Sequence, residues 1–329
     1  MPVASLVFSM EKAGKPLTSE VFERYALGLA RGERLAPDDE AAERSARRAG
    51  LLERLAADGI QGWPDRGTFY TRGLPSGCVP CLKGRGSNLC LTTLCNRDCF
   101  FCFNPKPRAE GLSVHGRTVA SESEIAGVLA DFGIESVGLS GGEPLLDAER
   151  TIRIIKELRR RFGPGLRIDL YTNGDLLTPR LAARLRDAGI DGTRMNLAAG
   201  GYRIAPLKIA LGAIPDSEVE LPVIPKHIER LKRLIREMDE IGAPQLILHE
   251  LFVSAQNLDA MKRMGLRAAA GPSRDRLSWS PVAGSDVAAL ELLLFALKNT
   301  KSLSVYYCST STQQWIAEQA LAAAASRKP

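Results

Sequence analysis

Three cysteines lie within eight residues of the 329-residue chain, in the segment Cys95-Asn-Arg-Asp-Cys99-Phe-Phe-Cys102. Three thiolates at this spacing can each ligate one iron of a cubane iron–sulfur cluster, which leaves one iron without a protein ligand. A tetrahedral zinc ion would want a fourth cysteine or histidine close by. The spacing therefore favours an iron–sulfur cluster, with zinc and a chance group of buried structural cysteines as the alternatives.

The other cysteines extend this argument. The chain has seven, and six of them lie between Cys78 and Cys102. An odd number crowded into one segment argues against a disulfide framework and for metal or redox chemistry. Cys78 and Cys81 form a Cys-x2-Cys turn, and together with Cys308 they could ligate a second cluster or a zinc ion. Cys90 falls inside an apolar run, where a buried structural cysteine is the commoner explanation.

The composition is that of an ordinary globular protein. Hydrophobic residues make up 45% of the chain and charged residues 25%, which excludes a largely disordered chain, a collagen-like repeat and a coiled-coil rod. No apolar run is long enough for a membrane span, and the first residues lack the basic segment of a signal peptide. We therefore expect a cytoplasmic protein with no membrane partner. The net charge of +6 is spread along the chain, which makes a nucleic-acid partner the least favoured class.

Predicted strands and helices alternate from residue 87 onward. The strands cover 87–94, 135–139, 166–171, 193–197, 218–224, 245–253 and 303–307, and the helices 147–162, 179–188, 227–241 and 285–299. A capping box at Ser121 and Glu124 predicts one more helix start, and Thr178-Pro179 predicts another. The alternation predicts an α/β fold in which parallel strands form a partial or full βα barrel.

The N-terminal part of the chain differs from this pattern. Two helices are predicted there, over 21–29 and 41–55, followed by a segment rich in glycine and proline. We therefore divide the chain into a helical N-terminal region with an irregular linker, 1–77, and a barrel domain, 78–329, which includes the accessory cysteines.

Polar residues follow several of the predicted strands. The cysteine loop, Gly141-Gly142-Glu143, Thr172-Asn173, Asn196 and Glu250 all fall at or near strand carboxyl ends. In βα barrels the catalytic residues gather at that edge, so these side chains should converge on one face. Glu250 is the candidate for contact with substrate. Because His249 and Glu250 are neighbours on one strand, at most one of them faces the barrel interior.

The cysteine spacing also carries a family resemblance. Cys-x3-Cys-x-aromatic-Cys, with Phe101 in the aromatic place, resembles the signature of the radical S-adenosylmethionine (radical SAM) superfamily. Ser140-Gly141-Gly142-Glu143-Pro144 resembles the second-strand motif of that family, which receives the methionine amino group. Glycines let a backbone approach a ligand closely, and an anionic Glu143 would complement an ammonium group.

The resemblance implies roles for later residues. Asn173 and Asn196 occupy places where the family contacts the ribose and the methionine carboxylate. Val223 and Ile224 resemble the segment that contacts adenine. A narrower likeness, in the segments around Cys78, Glu218–Pro225, His249 and Tyr306, is to an uncharacterised branch related to pyruvate formate-lyase activating enzymes.

This resemblance implies a mechanism. Cys95, Cys99 and Cys102 would hold a [4Fe–4S] cluster whose free iron is chelated by S-adenosylmethionine. A one-electron reductant such as flavodoxin or ferredoxin would drive cleavage to methionine and a 5′-deoxyadenosyl radical, which removes hydrogen from a small-molecule or peptide substrate. Two alternatives are an activase or modifier of a protein or RNA partner, and an iron–sulfur electron-transfer or zinc-binding protein. Arg203 and Lys208 would favour an anionic substrate.

Overall fold

Parallel strands form the centre of the computed structural model, which describes residues 35–269 and 280–325. The predicted helix over 21–29 lies outside these residues. In chain order the strands are β1 (Gln61–Trp63), β2 (Thr68–Tyr70), β3 (Gly86–Thr92), β4 (Glu110–Val114), β5 (Arg117–Thr118), β6 (Ser136–Gly141), β7 (Arg167–Thr172), β8 (Gly192–Met195), β9 (Asp216–Val223), β10 (Gln245–Glu250), β11 (Phe252–Val253), β12 (Ser280–Pro281) and β13 (Ser304–Cys308).

Helices alternate with these strands along the chain. They are α1 (Ala41–Ala57), α2 (Cys78–Leu82), α3 (Ile125–Asp131), α4 (Ala148–Phe162), α5 (Pro179–Ala188), α6 (Ala205–Leu211), α7 (Ile228–Glu240), α8 (Leu258–Arg263), α9 (Ser285–Asn299) and α10 (Thr310–Ala325). None of the helices in the described part of the chain is long and apolar enough to cross a membrane.

The main sheet has the order β1-β2-β13-β10-β9-β8-β7-β6-β3-β4-β5. From β13 to β3 every pairing is parallel, whereas the outer pairings at both ends of the sheet are antiparallel. The predicted α/β architecture, a partial barrel of parallel strands with surrounding helices and a helix in the N-terminal region, is confirmed. Each of the seven strands predicted from residue 87 onward is present.

Local sequence signals set several of the element ends. Ser121 and Glu124 form the predicted capping box before α3. The Thr178 hydroxyl accepts a hydrogen bond from the Leu181 amide at 3.2 Å, so it caps α5 as predicted. Gly189 ends the same helix in a left-handed conformation, with φ of +97°. Helix α9 is apolar on nearly every side because it packs on both α1 and α7 as well as on the sheet.

Two helices lie beside the outer strands of the parallel array. Helix α2 packs on β3, and α10 packs on α2. The contact is close, because a Cβ atom at Gly84 would lie 2.7 Å from the Cα atom of Ala320. We call this contact between α2 and α10 the seam. It joins the segment before β3 to the segment after β13, which are the two end strands of the parallel array.

Candidate functional site

One pocket opens at the carboxyl ends of the parallel strands. The predicted site residues that line it are Cys95, Cys99, Phe101, Cys102, Ser140, Gly141, Gly142, Asn173, Asn196 and Glu250. These residues come from the loops and ends of five different strands, which bend toward the same face because the strands are parallel. The convergence expected from the sequence is therefore present.

The cysteine loop follows β3 and forms a tight turn. The Cys102 amide donates to the Cys99 carbonyl at 3.0 Å, and the Arg97 amide donates to the Cys95 sulfur at 3.4 Å. Burial raises the pKa of Cys99 to about 11 and also raises the pKa of Cys102. Metal binding at these thiols must therefore displace protons.

The donor set suits a cluster better than a single ion. Among residues 35–269 and 280–325, no group of three or more His, Cys, Asp or Glu side chains converges to hold one metal ion. The thiolates of a cubane bind three different irons, so they need not converge on one point. Three half-buried thiols on one turn, facing a pocket, fit that requirement.

An ion pair fixes the cysteine loop to the neighbouring β7. Asp175, just after β7, accepts hydrogen bonds from the Arg97 guanidinium at 2.5 and 2.8 Å and from the Asn96 amide at 3.2 Å. The hydrogen bond from Arg97 holds the pKa of Asp175 below its ordinary value. The sequence analysis did not select Asp175. Its position directly after Thr-Asn-Gly is the only feature of the sequence that could have predicted its role. Arg203 also contacts Asp175, at 3.4 Å, while remaining exposed.

The glycines at the end of β6 permit a close approach of two backbones. The Gly142 amide donates to the Thr92 carbonyl at 2.7 Å, and the Glu143 amide donates to the Leu94 carbonyl at 2.8 Å. A Cβ atom at Gly142 would lie 2.7 Å from the Thr93 carbonyl oxygen and closer still to the Leu94 oxygen. Gly141 has φ of +121°, which other residues rarely adopt. This turn therefore needs both glycines.

Glu143 lies in a different environment from the one predicted. Its side chain is fully buried and does not line the pocket. The carboxylate accepts hydrogen bonds from the Thr172 hydroxyl at 2.8 Å and from the Leu145 and Asn173 amides at 3.1 and 2.8 Å. Burial raises its pKa. Glu143 thus joins the ends of β6 and β7 through these hydrogen bonds, and its contact with an ammonium group stays a prediction.

The segment predicted to contact adenine does not line the pocket, and its role stays a prediction. Val223 and Ile224 are buried in apolar clusters and do not line the pocket. The pocket wall on this strand is formed by Glu220, Leu221 and Pro222.

The two asparagines reach the pocket as expected. The Asn173 amide donates to the Asn96 side chain at 2.7 Å. The Asn196 side chain accepts a hydrogen bond from the Ala199 amide at 3.3 Å, which caps the following turn. Each side chain keeps hydrogen-bonding capacity toward the pocket, because each amide group has both donors and acceptors.

His249 and Glu250 point to different partners. The Glu250 carboxylate accepts hydrogen bonds from the Thr310 amide at 2.7 Å and from its hydroxyl at 2.8 Å, so it is held by the start of α10. The His249 imidazole lies within the barrel, with Nε2 3.0 Å from the Glu220 carboxylate and Nδ1 3.2 Å from the Gln313 amide. The substrate role predicted for Glu250 stays a prediction, and His249 is a pocket residue that the sequence analysis did not choose.

A buried polar network continues from His249 into the barrel. Arg194 donates to the Glu220 carboxylate at 2.8 Å and to the Tyr171 hydroxyl at 3.1 Å, and its Nε lies 3.3 Å from Glu218. Burial raises the pKa of Glu218 to about 8. Burial opposes ionisation of Glu220 as well, but His249 and Arg194 hold its pKa well below the ordinary value. In the sequence, the charged residues within β8 and β9 are the feature that could have predicted this network.

The accessory cysteines do not line the pocket. Cys78 and Cys308 are buried in an apolar cluster with Ile247 and Tyr306, and none of these four residues lines the pocket. Strand β13 runs parallel to β10, so Cys308 lies beside His249 in the sheet. Burial raises the pKa of Cys81 to about 11.

Cys90, for which the sequence favours a structural role, is buried in β3 and does not line the pocket. Its sulfur lies 3.5 Å from the Thr92 carbonyl oxygen, which agrees with a structural role.

Part of the chain matches a known protein family. Residues 89–209 match the family model of the Radical SAM superfamily. The chain is 26% identical over 232 residues to a Methanocaldococcus jannaschii protein named "Putative glycyl-radical enzyme activating enzyme", covering 67% of this chain and 60% of that protein. It is 32% identical over 182 residues to a "Probable GTP 3',8-cyclase" of Metallosphaera sedula, covering 49% of this chain and 54% of that protein. The chain thus spans less than two thirds of either relative.

Two solved structures also match, at low similarity. Methylornithine synthase matches with a TM-score of 0.44 and 14% identity over 85% of this chain and 77% of that one. Coproporphyrinogen III oxidase from Escherichia coli, described as a radical SAM enzyme, matches with a TM-score of 0.42 and 13% identity, covering 70% of this chain and 57% of that one.

The match of residues 89–209 supports membership of the radical SAM superfamily, and the chain is similar to a protein named as a glycyl-radical enzyme activating enzyme. The same match supports the expected enzyme class and its two cofactors, a [4Fe–4S] cluster and S-adenosylmethionine.

Proposed function

We propose that this protein cleaves S-adenosylmethionine at a [4Fe–4S] cluster held by Cys95, Cys99 and Cys102, and that it acts on a small molecule bound in the same pocket. The observation that carries the proposal is the meeting of three features on that pocket. These are the cysteine loop after β3, the paired glycines after β6 and the asparagines after β7 and β8.

When bound, the cluster and S-adenosylmethionine would supply the radical chemistry for removal of a hydrogen atom from the substrate. The protein positions the bound ligand and excludes water from it. The Gly141-Gly142 turn exposes backbone without side chains, and the amides of Asn173 and Asn196 offer donors and acceptors to a polar ligand. Apolar lining residues such as Phe101 and Leu221 exclude water from the site.

The covered floor of the barrel favours a small molecule as substrate. Gly77 and Cys78 lie against the barrel interior, where a Cβ atom at Gly77 would lie 2.5 Å from Arg194 Nη2. Cys78 packs there against Ile247 and Tyr306. A pocket with a covered floor is entered from the mouth alone, so a compact ligand fits it better than a chain that passes through.

The test is anaerobic reconstitution of the full chain with iron and sulfide. Reduction with dithionite in the presence of S-adenosylmethionine should yield 5′-deoxyadenosine. Replacement of Cys95, Cys99 or Cys102 by Ala should abolish both the cluster absorbance and the product. Cys90→Ala is the matched control and should retain both. Product formation by any variant of the three loop cysteines would refute the assignment.

A second candidate function is activation of a partner enzyme. The similarity to the protein named as a glycyl-radical enzyme activating enzyme favours it. An activase should generate a glycyl-radical signal in electron paramagnetic resonance when mixed with a partner enzyme from the native cell. We expect flavodoxin or ferredoxin to serve as the electron donor in place of dithionite. We propose the same class of reductant for the small-molecule reaction.

A second iron–sulfur cluster at Cys78, Cys81 and Cys308 stays a prediction. The burial of Cys78 and Cys308 in one apolar cluster supports their proximity. If a second cluster forms, the triple variant in which all three loop cysteines are Ala should keep about half of the wild-type iron–sulfur absorbance. Absence of iron from that variant would leave the accessory cysteines with a packing role.

A further inference from the structure

A groove on the outer surface of the protein lies between helices α1, α7 and α9, of which α9 packs on both of the others. The groove has a volume of about 510 Å³, which is within the range of small-molecule sites. None of its lining residues lines the pocket at the strand ends. We propose that this groove binds a small molecule that carries an oligophosphate group. The site is separate from the one proposed for S-adenosylmethionine, so the inference does not depend on the proposed function.

Basic side chains predominate among the charged residues of the groove. The charged residues that line it are Arg47, Arg54, Lys232, Glu291 and Lys298. Two further carboxylates lie outside the lining, where Glu229 pairs with Lys232 at 2.7 Å and Asp58 pairs with Lys298 at 3.0 Å. The cations still outnumber the carboxylates, four to three, when these ion-pair partners are counted. This balance favours an anionic ligand.

Several of the basic groups are available to a ligand. Arg54 takes part in none of the ion pairs formed among the described residues. The same holds for Arg236, whose guanidinium carbon lies 4.9 Å from the centre of the Phe295 ring in the groove. The other three lining cations have carboxylate partners, and each of these pairs has at least one exposed member. Because exposed ion pairs contribute little to stability, a ligand with several negative charges can compete for these cations.

The groove also contains a glycine inside a helix. Gly50 lies within α1 and lines the groove, although glycine is a poor helix former. A Cβ atom at this position would meet no atom of the described residues within 4 Å, so their packing does not require glycine there. Beside this open space, Leu51 and Leu294 are buried and form an apolar floor. The missing side chain of Gly50 therefore leaves room for a ligand between the cations.

The positions of the cations suit an oligophosphate better than a single anion. Arg47 and Arg54 are seven residues apart, so they lie on one face of α1, about 10 Å apart along its axis. Lys232 and Lys298 line the groove from the two other helices. A chain of linked phosphates offers oxygens over such a distance, whereas one sulfate or carboxylate contacts only part of the set. Guanidinium groups also match the geometry of phosphate, because they donate two parallel hydrogen bonds.

The test measures binding of inorganic triphosphate to the reconstituted full chain by isothermal titration calorimetry, at constant ionic strength and without magnesium. We expect triphosphate and ATP to bind, because both carry the oligophosphate group. Sulfate and hexaglutamate should not bind at the same concentration. Addition of S-adenosylmethionine should leave the affinity for triphosphate unchanged, because the groove and the pocket share no lining residue.

Two substitutions connect the binding to the groove. Arg54→Gln removes a cation without breaking an ion pair among the described residues, and it should weaken triphosphate binding about tenfold or more. Gly50→Leu fills the open space and should abolish binding, whereas the helix should be no less stable, because leucine is the better helix former. Arg180→Gln is the matched control. It removes an exposed positive charge of α5, outside the groove, and should bind triphosphate like the wild type.

Four results would overturn the inference. Equal binding of hexaglutamate would show a general attraction of acidic chains, and an equal loss of affinity in Arg180→Gln would assign the binding to overall charge. Displacement of triphosphate by S-adenosylmethionine would place the anion in the pocket. The fourth result is wild-type affinity in Arg54→Gln. This variant decides the matter even if Gly50→Leu fails to fold, since Arg54 is exposed and its loss leaves the helix packing in place.

Discussion

Replacement of Gly142 by Ala should separate the cysteine loop from the turn after β6. The added Cβ atom would lie 2.7 Å from the Thr93 carbonyl oxygen and closer to that of Leu94. Ordinary Cβ contacts begin near 3.4 Å, so relief of the Thr93 contact alone needs a shift of about 0.7 Å, and relief of the Leu94 contact needs more. Both neighbouring atoms belong to the backbone, which leaves no flexible side chain to give way.

The size of the effect follows from what that shift breaks. It would lengthen the hydrogen bonds from the Gly142 and Glu143 amides, now 2.7 and 2.8 Å, to the Thr92 and Leu94 carbonyls. Two lost hydrogen bonds and the strain of overpacking together cost roughly 2 to 5 kcal/mol in the free energy of unfolding. Because Leu94 precedes Cys95, the cysteine loop moves with it, and iron incorporation should fall as well.

The assay compares urea unfolding and iron content after reconstitution for Gly142→Ala and Gly127→Ala. A Cβ atom at Gly127, within α3, meets nothing within 4 Å. Alanine is the better helix former there and should add roughly 0.5 to 1 kcal/mol of stability, with iron content unchanged. If Gly142→Ala matches the wild type in both measurements, the close backbone approach is not needed for cluster assembly and the reasoning fails.

Two further predictions concern stability. Asp239 accepts backbone N–H bonds from Lys301, Ser302 and Leu303, and these outweigh burial and lower its pKa to about 2. Asp239→Asn should therefore cost about 1 kcal/mol at neutral pH after allowance for solvent screening, and urea titrations should show the difference shrinking as pH falls from about 4 toward 2. Cys90→Ala should cost roughly 1 to 2 kcal/mol in the same titrations because it leaves a small cavity, and a loss of iron in this variant would contradict its structural role.

The parts of the fold that were predictable are those with short-range signals. The capping box at Ser121, the cap at Thr178 and the alternation of apolar runs with helical patterns each depend on a few neighbouring residues. The hairpin of β4 and β5 was not predicted. It turns through His115 and Gly116, both at positive φ, and His-Gly is a weak turn signal compared with Asn-Gly.

The candidate site was predictable in position but not in detail. Its place at the strand carboxyl ends follows from the parallel topology, and the cysteines, Asn173 and Asn196 reached the pocket as expected. The choice between His249 and Glu250 depends on Thr310 and Gln313, which belong to a helix that the sequence analysis did not predict. The bridging role of Glu143 likewise depends on a neighbouring strand, so no local pattern could reveal it.

The seam has a consequence for the order of events during synthesis. Helix α2 leaves the ribosome shortly before the cysteine loop, but its partner α10 begins only at Thr310, about 200 residues after Cys102. At ordinary elongation rates that interval is roughly 10 to 40 s. During this interval, the growing chain contains the three thiols but not the helix that supplies Gln313 to the pocket. Iron delivered to the finished barrel therefore meets a different environment from iron that reaches the nascent chain.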